Sequence, residues 1–269
     1  MENEDWLDIG GRYKVCPWAV SGLESCILVS GPDFRVVFDM GYAYPAAVRC
    51  QHIFISHGHT DHVGAIISHA SKRGLYGMPP ATYYLAPDLV KPLTDATKAF
   101  SVMNGEQINV NLRAVKIDER IQKTLKAEFQ GRTSQEITSL VRNNRDIFTI
   151  DTVPEVAYTG DTMSDIFLNP HNPDLLRVKL LITEATYVDD EIKGGRTATD
   201  RARQRGHMHL DEIIQNEALF SDVENLLLVH FSDKYSSKYV RDQVSKKLPQ
   251  SMKDKVHTGL VLKKKFEYK

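Results

Sequence analysis

Apolar strand-like runs alternating with amphipathic helical ones predict one α/β domain over residues 1–269. Two further observations support it. The length suits a single large core, and polar residues stand at the C-terminal ends of five apolar runs: Asp39, His57, Asp161, Glu184 and His230. In open α/β sheets the active site lies outside the carboxyl ends of the strands, whereas packing alone predicts no such coincidence. The pattern points to a metalloenzyme.

The first third reads as strands. "SCILVSGPDFRVVFDMG" is a hairpin around Gly31-Pro32-Asp33, and "CQHIFIS" is a further strand. His62 to Leu75 then switches to helical periodicity, with Val63, Ile66, Ile67 and Ala70 on one face. "ATYYLA" is a strand, Pro87 opens a helix to about Phe100, and "NLRAVKI" is a strand. From Asp118 to Asp151 the chain is charged and polar, with "SQEITSLVRN" forming a short helix inside a projecting arm. "PEVAYTG" is a strand, Asp174 to Lys179 a helix, and "LLITEAT" a strand. "HLDEIIQNEALF" is a helix, "NLLLVHF" a strand and "YSSKYVRDQVSKKL" the last helix.

Composition narrows the class. No apolar run approaches the roughly 20 residues of a membrane span. The acidic start MENEDWLDIG has no signal-peptide core. Cys16, Cys26 and Cys50 are scattered and read as reduced thiols, so a cytoplasmic or nuclear location is expected. The net charge is −1, but Lys193, Arg196, Arg201, Arg203 and Arg205 face Asp200 alone. Such a stretch is either a solvated face or a phosphate-binding rim.

The block "HGHTDH" places His57, His59, Asp61 and His62 on one tight loop, a donor set that suits zinc. Divergent groups on so short a loop cannot all reach one tetrahedral ion, so two ions are expected. Asp161, on the Gly160 turn, is suited to bridge them, and His230 closes one site. His52, His69, His171 and His257 read as structural, and His209 as a helix entry or a residue just outside the ligand set.

The HxHxDH block resembles the metallo-β-lactamase superfamily, and "AYTGDT", "TEATY", "GHMH" and "HFSDKY" resemble motifs of its ribonuclease Z branch, the short form of the tRNA 3′-processing endonuclease. The resemblance runs from about Ser21 to Lys247. It implies a four-layer αββα sandwich of two mixed β-sheets flanked by helices, and two Zn2+ ions. His57 and His59 then bind one zinc, Asp61, His62 and His230 the other, and Asp161 bridges. Asp61 belongs to the catalytic set, Glu184 and His207 form a proton-transfer pair, and Asp39 steadies the metal loop from behind its ligands. The arm, about 123–146, would grip precursor tRNA, and a homodimer is expected.

One departure matters. The resemblance implies a further histidine on a strand before the arm, yet residues 70–170 contain none. "NLRAVKID" runs almost directly into "ERIQKTLKAEF", so about two strands of the family pattern are missing near Asp118 and Glu119. The first zinc keeps His57, His59 and shared Asp161, which leaves it weaker than the second and exposes a sheet edge. A segment lacking from this sequence is favoured over a degenerate paralogue or rescue by another residue. The function this implies is zinc-dependent removal of the 3′ trailer from precursor tRNA, leaving a 3′-hydroxyl. The rivals are a phosphodiesterase on small or cyclic nucleotides and a catalytically impaired tRNA-binding paralogue.

Overall fold

The computed structural model describes residues 5–115, 121–125, 131–133, 136, 140, 148–152, 154–172 and 174–261. A seven-stranded sheet runs in chain order: β1 (Leu7–Ile9), β2 (Tyr13–Val20), β3 (Glu24–Ser30), β4 (Arg35–Phe38), β5 (His52–Phe54), β6 (Thr82–Leu85) and β7 (Asn111–Ala114). It is mixed: antiparallel through β4, parallel from β4 to β7. The second sheet, β10 (Val156–Tyr158), β11 (Leu180–Glu184), β12 (Asn225–Val229) and β13 (Val256–Thr258), is parallel among the described residues. β8 (Ile121–Leu125) and β9 (Phe148–Thr152) form a separate antiparallel ribbon.

Period-two alternation builds the layers. Ile27 and Val29 of β3 pack with Leu180, Ile182, Leu227 and Val229 in a core between the sheets. The alternate residues Cys26 and Leu28 face a second core, and Leu181, Leu226 and Leu228 a third. Helices close these outer cores. The first is covered by α1 (Thr60–Val63), α2 (Ile66–Leu75) and α3 (Pro87–Asn104); the other by α5 (Leu210–Gln215) and α6 (Ser237–Lys247), while α4 (Ala198–Gln204) precedes α5 and buries Ala198 and Ala202. Strands buried on both faces read as continuous apolar runs, as "NLLLV" does. Each fully buried Leu or Ile contributes about 1.5–3 kcal/mol. The four-layer αββα sandwich is as expected.

Several expected elements differ locally. Asp174 to Lys179 is a run of turns, with Leu175 donating to Asn172 and Arg177 to Asp174, because Pro170 and Asn172 favour turns over a helix. The helix expected from His62 breaks at Gly64–Ala65, and "HLDEIIQNEALF" breaks at Asn216 into α5 and a 3-10 turn. The arm, 123–146, and the helix "SQEITSLVRN" lie largely outside the described residues. Beside it, Thr133 and Glu136 exchange reciprocal hydrogen bonds, Thr133 N and Oγ1 donating to the Glu136 carboxylate and Glu136 N to Thr133 Oγ1. β7 and β10 are edge strands among the described residues, and β10 is half-buried where β11 is buried throughout. β7 ends shortly before Asp118 and Glu119, near which two strands were expected to be missing.

Candidate metal centre

The five strand-end residues come from two sheets, from the parallel neighbours β4 and β5 of one and the parallel neighbours β10, β11 and β12 of the other. Asp39 directly follows β4, His57 lies just beyond β5, and Asp161 follows β10. Glu184 ends β11 and His230 follows β12. Asp39 and His230 both hold φ of 60°, a left-handed region uncommon for non-glycine residues, though Asp and His enter it more readily than most. The one-turn helix α1 then carries Asp61 and His62 back toward the same point.

Two donor clusters result. His57, His59 and Asp161 form one; Asp61, His62 and His230 form the other. Asp161 stands between them with its two oxygens divided. Its Oδ1 lies 3.3 Å from His230 Nε2 and 3.5 Å from His62 Nε2, and its Oδ2 lies 3.9 Å from His57 Nε2. His57 Nε2, His62 Nε2, His230 Nε2 and Asp161 Oδ1 are buried without a hydrogen-bond partner. Each such atom costs about 1–3 kcal/mol unless something satisfies it. Ring nitrogens and a carboxylate oxygen that converge with no hydrogen bond between them are what a cation resolves. The residues present therefore fit metal ions, and the superfamily implies them.

The electrostatics agree. Burial disfavours charge on His62, yet Asp161 and Asp39 on either side push its pKa up to about 10. His230 and His62 hold the Asp61 carboxyl well below the usual range. Burial, with neighbouring His62, lowers the His57 pKa and favours its neutral, metal-binding form.

The supports behind the ligands are unequal. Asp39, fully buried, accepts hydrogen bonds from the Ser56 amide at 2.8 Å, the Ser56 hydroxyl at 2.9 Å and the Tyr158 hydroxyl at 2.8 Å. It also holds His62 Nδ1 at 2.7 Å. Ser56 Oγ reaches His57 Nδ1 at 3.0 Å. His59 is exposed; its carbonyl accepts from His62 N and Val63 N, but no neighbouring side chain holds its ring as Ser56 holds His57 and Asp39 holds His62. Ser56 and Tyr158 were not singled out in the sequence, although both lie inside motif segments, "FISHGH" and "AYTGDT".

Glu184 and His207 meet beside the clusters. His207 Nδ1 is 3.1 Å from both carboxylate oxygens and 4.0 Å from Asp161 Oδ2. It also groups with Asp161 and His230 as a third donor set. Burial lowers its pKa, but the Glu184 hydrogen bond and charge outweigh burial and raise it. Helix α4 places the ring. Gly206, at φ 73°, ends the helix in a Schellman motif in which Gly206 N donates to Arg203 and His207 N to Ala202. His209 enters α5, its Nδ1 accepting from Asp211 N and its Nε2 meeting the Asp189 carbonyl at 2.7 Å.

The basic stretch is divided. Arg203 bonds Glu212 at 2.6 Å and Ser164 at 3.0 Å, and Arg201 reaches the Glu191 carbonyl at 2.8 Å and Asp189 at 3.6 Å. Both hold the α4 region in place, which the charge pattern alone did not distinguish from a rim. Arg205 donates to Tyr187 Oη, and Lys193 and Arg196 flank a Gly194-Gly195 turn; all three are exposed.

His52 and His257 meet Tyr84 and Asn225, and His69 is buried against Tyr83 and Ala47. These agree with their structural reading. No described helix is long and apolar enough to cross a membrane.

Comparison with known proteins follows the same lines. Residues 30–231 match the Beta-lactamase superfamily domain. The chain is 30% identical over 272 residues to "tRNase Z TRZ1" of Arabidopsis thaliana, covering 91% of this chain and 94% of that protein. It is 29% identical over 261 residues to "tRNase Z TRZ2, chloroplastic" of the same plant, covering 87% and 72%. In structure it is similar to the metallo-beta-lactamase fold protein YhfI of Bacillus subtilis. There the TM-score is 0.58 at 17% identity, over 92% of this chain and 95% of that one. It is also similar to the short form of human tRNase Z, with TM-score 0.53 at 16% identity, over 82% and 92%. By sequence match and by fold, the chain belongs to the tRNase Z family of the beta-lactamase superfamily.

Proposed function

We propose that this protein is an endoribonuclease that removes the 3′ trailer from precursor tRNA, using two zinc ions. The observation that carries the reading is the pair of donor clusters sharing Asp161, set beside the Glu184–His207 pair. His57, His59 and Asp161 would hold the first ion; Asp61, His62, His230 and Asp161 the second. When bound, such ions supply the Lewis acidity that makes water nucleophilic near neutral pH and offsets charge on the phosphate. His207 donates a proton to the departing 3′-oxygen, so the tRNA keeps a 3′-hydroxyl. Glu184 holds the ring at Nδ1, favours its cationic form and leaves Nε2 free to face the leaving group.

Asp39, with Ser56 and Tyr158, fixes the ring of His62 and so the direction of its lone pair. Lys193, Arg196 and Arg205 offer exposed charge to phosphates, whereas Arg201 and Arg203 support the fold. The arm at 123–146 binds the tRNA body, and a homodimer belongs to the same reading. A phosphodiesterase acting on small nucleotides would need neither arm nor rim.

A second reading has its own observation. The first cluster has three protein donors among the described residues, one of them shared and one without a supporting bond. That favours a weak first site and, at the limit, a tRNA-binding paralogue without catalysis. Zinc content and trailer cleavage, measured together on wild type, His207→Ala and Asp61→Ala, decide the matter. The expected result is cleavage by wild type, loss of zinc in Asp61→Ala, and unchanged zinc with rate lower by about 10²–10⁴ in His207→Ala. Zinc loss in His207→Ala makes it a ligand and overturns its assigned role.

A further inference from the structure

Thr186 lies between the metal cluster and the proton-transfer pair, and its hydroxyl reaches both. The residue is buried. Its Oγ1 is 2.5 Å from Glu184 Oε2, 3.3 Å from His230 Nδ1 and 3.0 Å from the His230 carbonyl. One hydroxyl carries one proton, and the closest acceptor is the carboxylate, where a charge-assisted bond is strongest. With that proton on Glu184, the Oγ1 lone pairs face His230 Nδ1. The ring then satisfies them only as the Nδ1–H tautomer, which leaves its lone pair on Nε2. That atom is buried, without a hydrogen-bond partner, 3.3 Å from Asp161 and 3.9 Å from Asp61.

We propose that Thr186 is a positioning residue that sets the tautomer and aim of His230 and ties that ring to Glu184 through one hydroxyl. The surrounding backbone supports the same role. His230 occupies a left-handed φ of 60°, and the chain on both sides is pinned to the Thr186 segment. Ala185 N donates to Val229 O at 3.0 Å, and Ser232 N to Thr186 O at 2.9 Å. Glu184 is the common hub, since its carboxylate also accepts from Thr162 N and Met208 N and meets His207 Nδ1. A shift of Thr186 therefore moves both the ligand ring and the group that holds His207. The inference rests on reading His230 as a metal ligand.

The test is zinc affinity of the tighter site, by competition with a chromophoric chelator, in wild type, Thr186→Val, Thr186→Ser and His230→Ala. Loss of a supporting partner typically weakens a metal site about 10–100-fold. That weakening is expected in Thr186→Val, with wild-type affinity restored to within about threefold in Thr186→Ser. His230→Ala should lose the site altogether. If His230→Ala keeps its zinc, the ligand reading itself fails. If His230→Ala loses zinc while Thr186→Val binds it like wild type, or Thr186→Ser is as weak as Thr186→Val, only the Thr186 role fails. Should Thr186→Val not fold, nitrogen-15 imidazole spectra of zinc-loaded wild type decide: protonated Nδ1 on His230 is expected, and protonated Nε2 overturns the proposal.

Discussion

His69 shows how a buried residue that looks like a ligand is recognised as structural. Its Nδ1 meets Tyr83 Oη at 2.6 Å and its Nε2 the Ala47 carbonyl at 3.1 Å, so both nitrogens are occupied. In the candidate metal clusters His57, His62 and His230 instead each keep a bare Nε2. Burial lowers the His69 pKa to about 4, against about 6.5 in an unfolded chain. The folded state thus binds fewer protons, and this contribution is fully present above about pH 6.5 and lost as pH falls toward 4. Its size is up to about 3 kcal/mol. Urea unfolding at pH 7.5 and at pH 5 should show a smaller loss of stability in His69→Gln than in wild type. An equal loss in both would mean that His69 is not the group titrating.

At the scale of elements, the site depends on short turns as much as on strands. A Cβ on Gly41 would lie 1.7 Å from the Asp61 carbonyl, so the strand-β4 exit and the metal loop touch backbone to backbone. Gly41→Ala must push Asp61 away. It should lower zinc content and cost more than the usual 1–3 kcal/mol, roughly, of overpacking, as read by elemental analysis and thermal unfolding. Gly206→Ala is milder, because nothing lies near its Cβ and only the left-handed conformation resists, at about 1–2 kcal/mol. Cleavage should fall through misplacement of His207 while zinc content stays constant; a fall in zinc content would tie this turn to the metals instead.

The five strand ends were legible in the sequence because apolar runs give way to polar residues there, most plainly in β11 and β12, which are buried on both faces. The breaks at Gly64–Ala65 and Asn216 were not, since helical periodicity persists across them. β1 and β2 were not delimited as separate strands, and "Asp174 to Lys179" shows apolar spacing without a helix. The Arg201 and Arg203 partners, Asp189 and Glu212, lie outside the helix that carries these arginines, so the charge pattern of the stretch could not separate these two from Lys193, Arg196 and Arg205.

Over the whole molecule, the same division yields a contrast in binding. Neutralising Lys193, Arg196 and Arg205 together should weaken tRNA binding and flatten its salt dependence, by about one counterion for each phosphate no longer paired with a cation. Neutralising Arg201 and Arg203 should instead lower the melting temperature. If the first set leaves both affinity and salt slope unchanged, that face is merely solvated.

Joint action of two unequal metal sites sharing Asp161 on precursor tRNA follows from the proposed function. It is tested most directly by following trailer removal from one precursor tRNA as zinc is added stepwise to stripped protein, with bound zinc measured at each step. The prediction is little cleavage while the first equivalent fills the Asp61–His62–His230 cluster, then a steep rise as a second, weaker equivalent binds at His57 and His59. Two bound equivalents with the precursor bound and uncut, or full cleavage at one equivalent, would contradict the account.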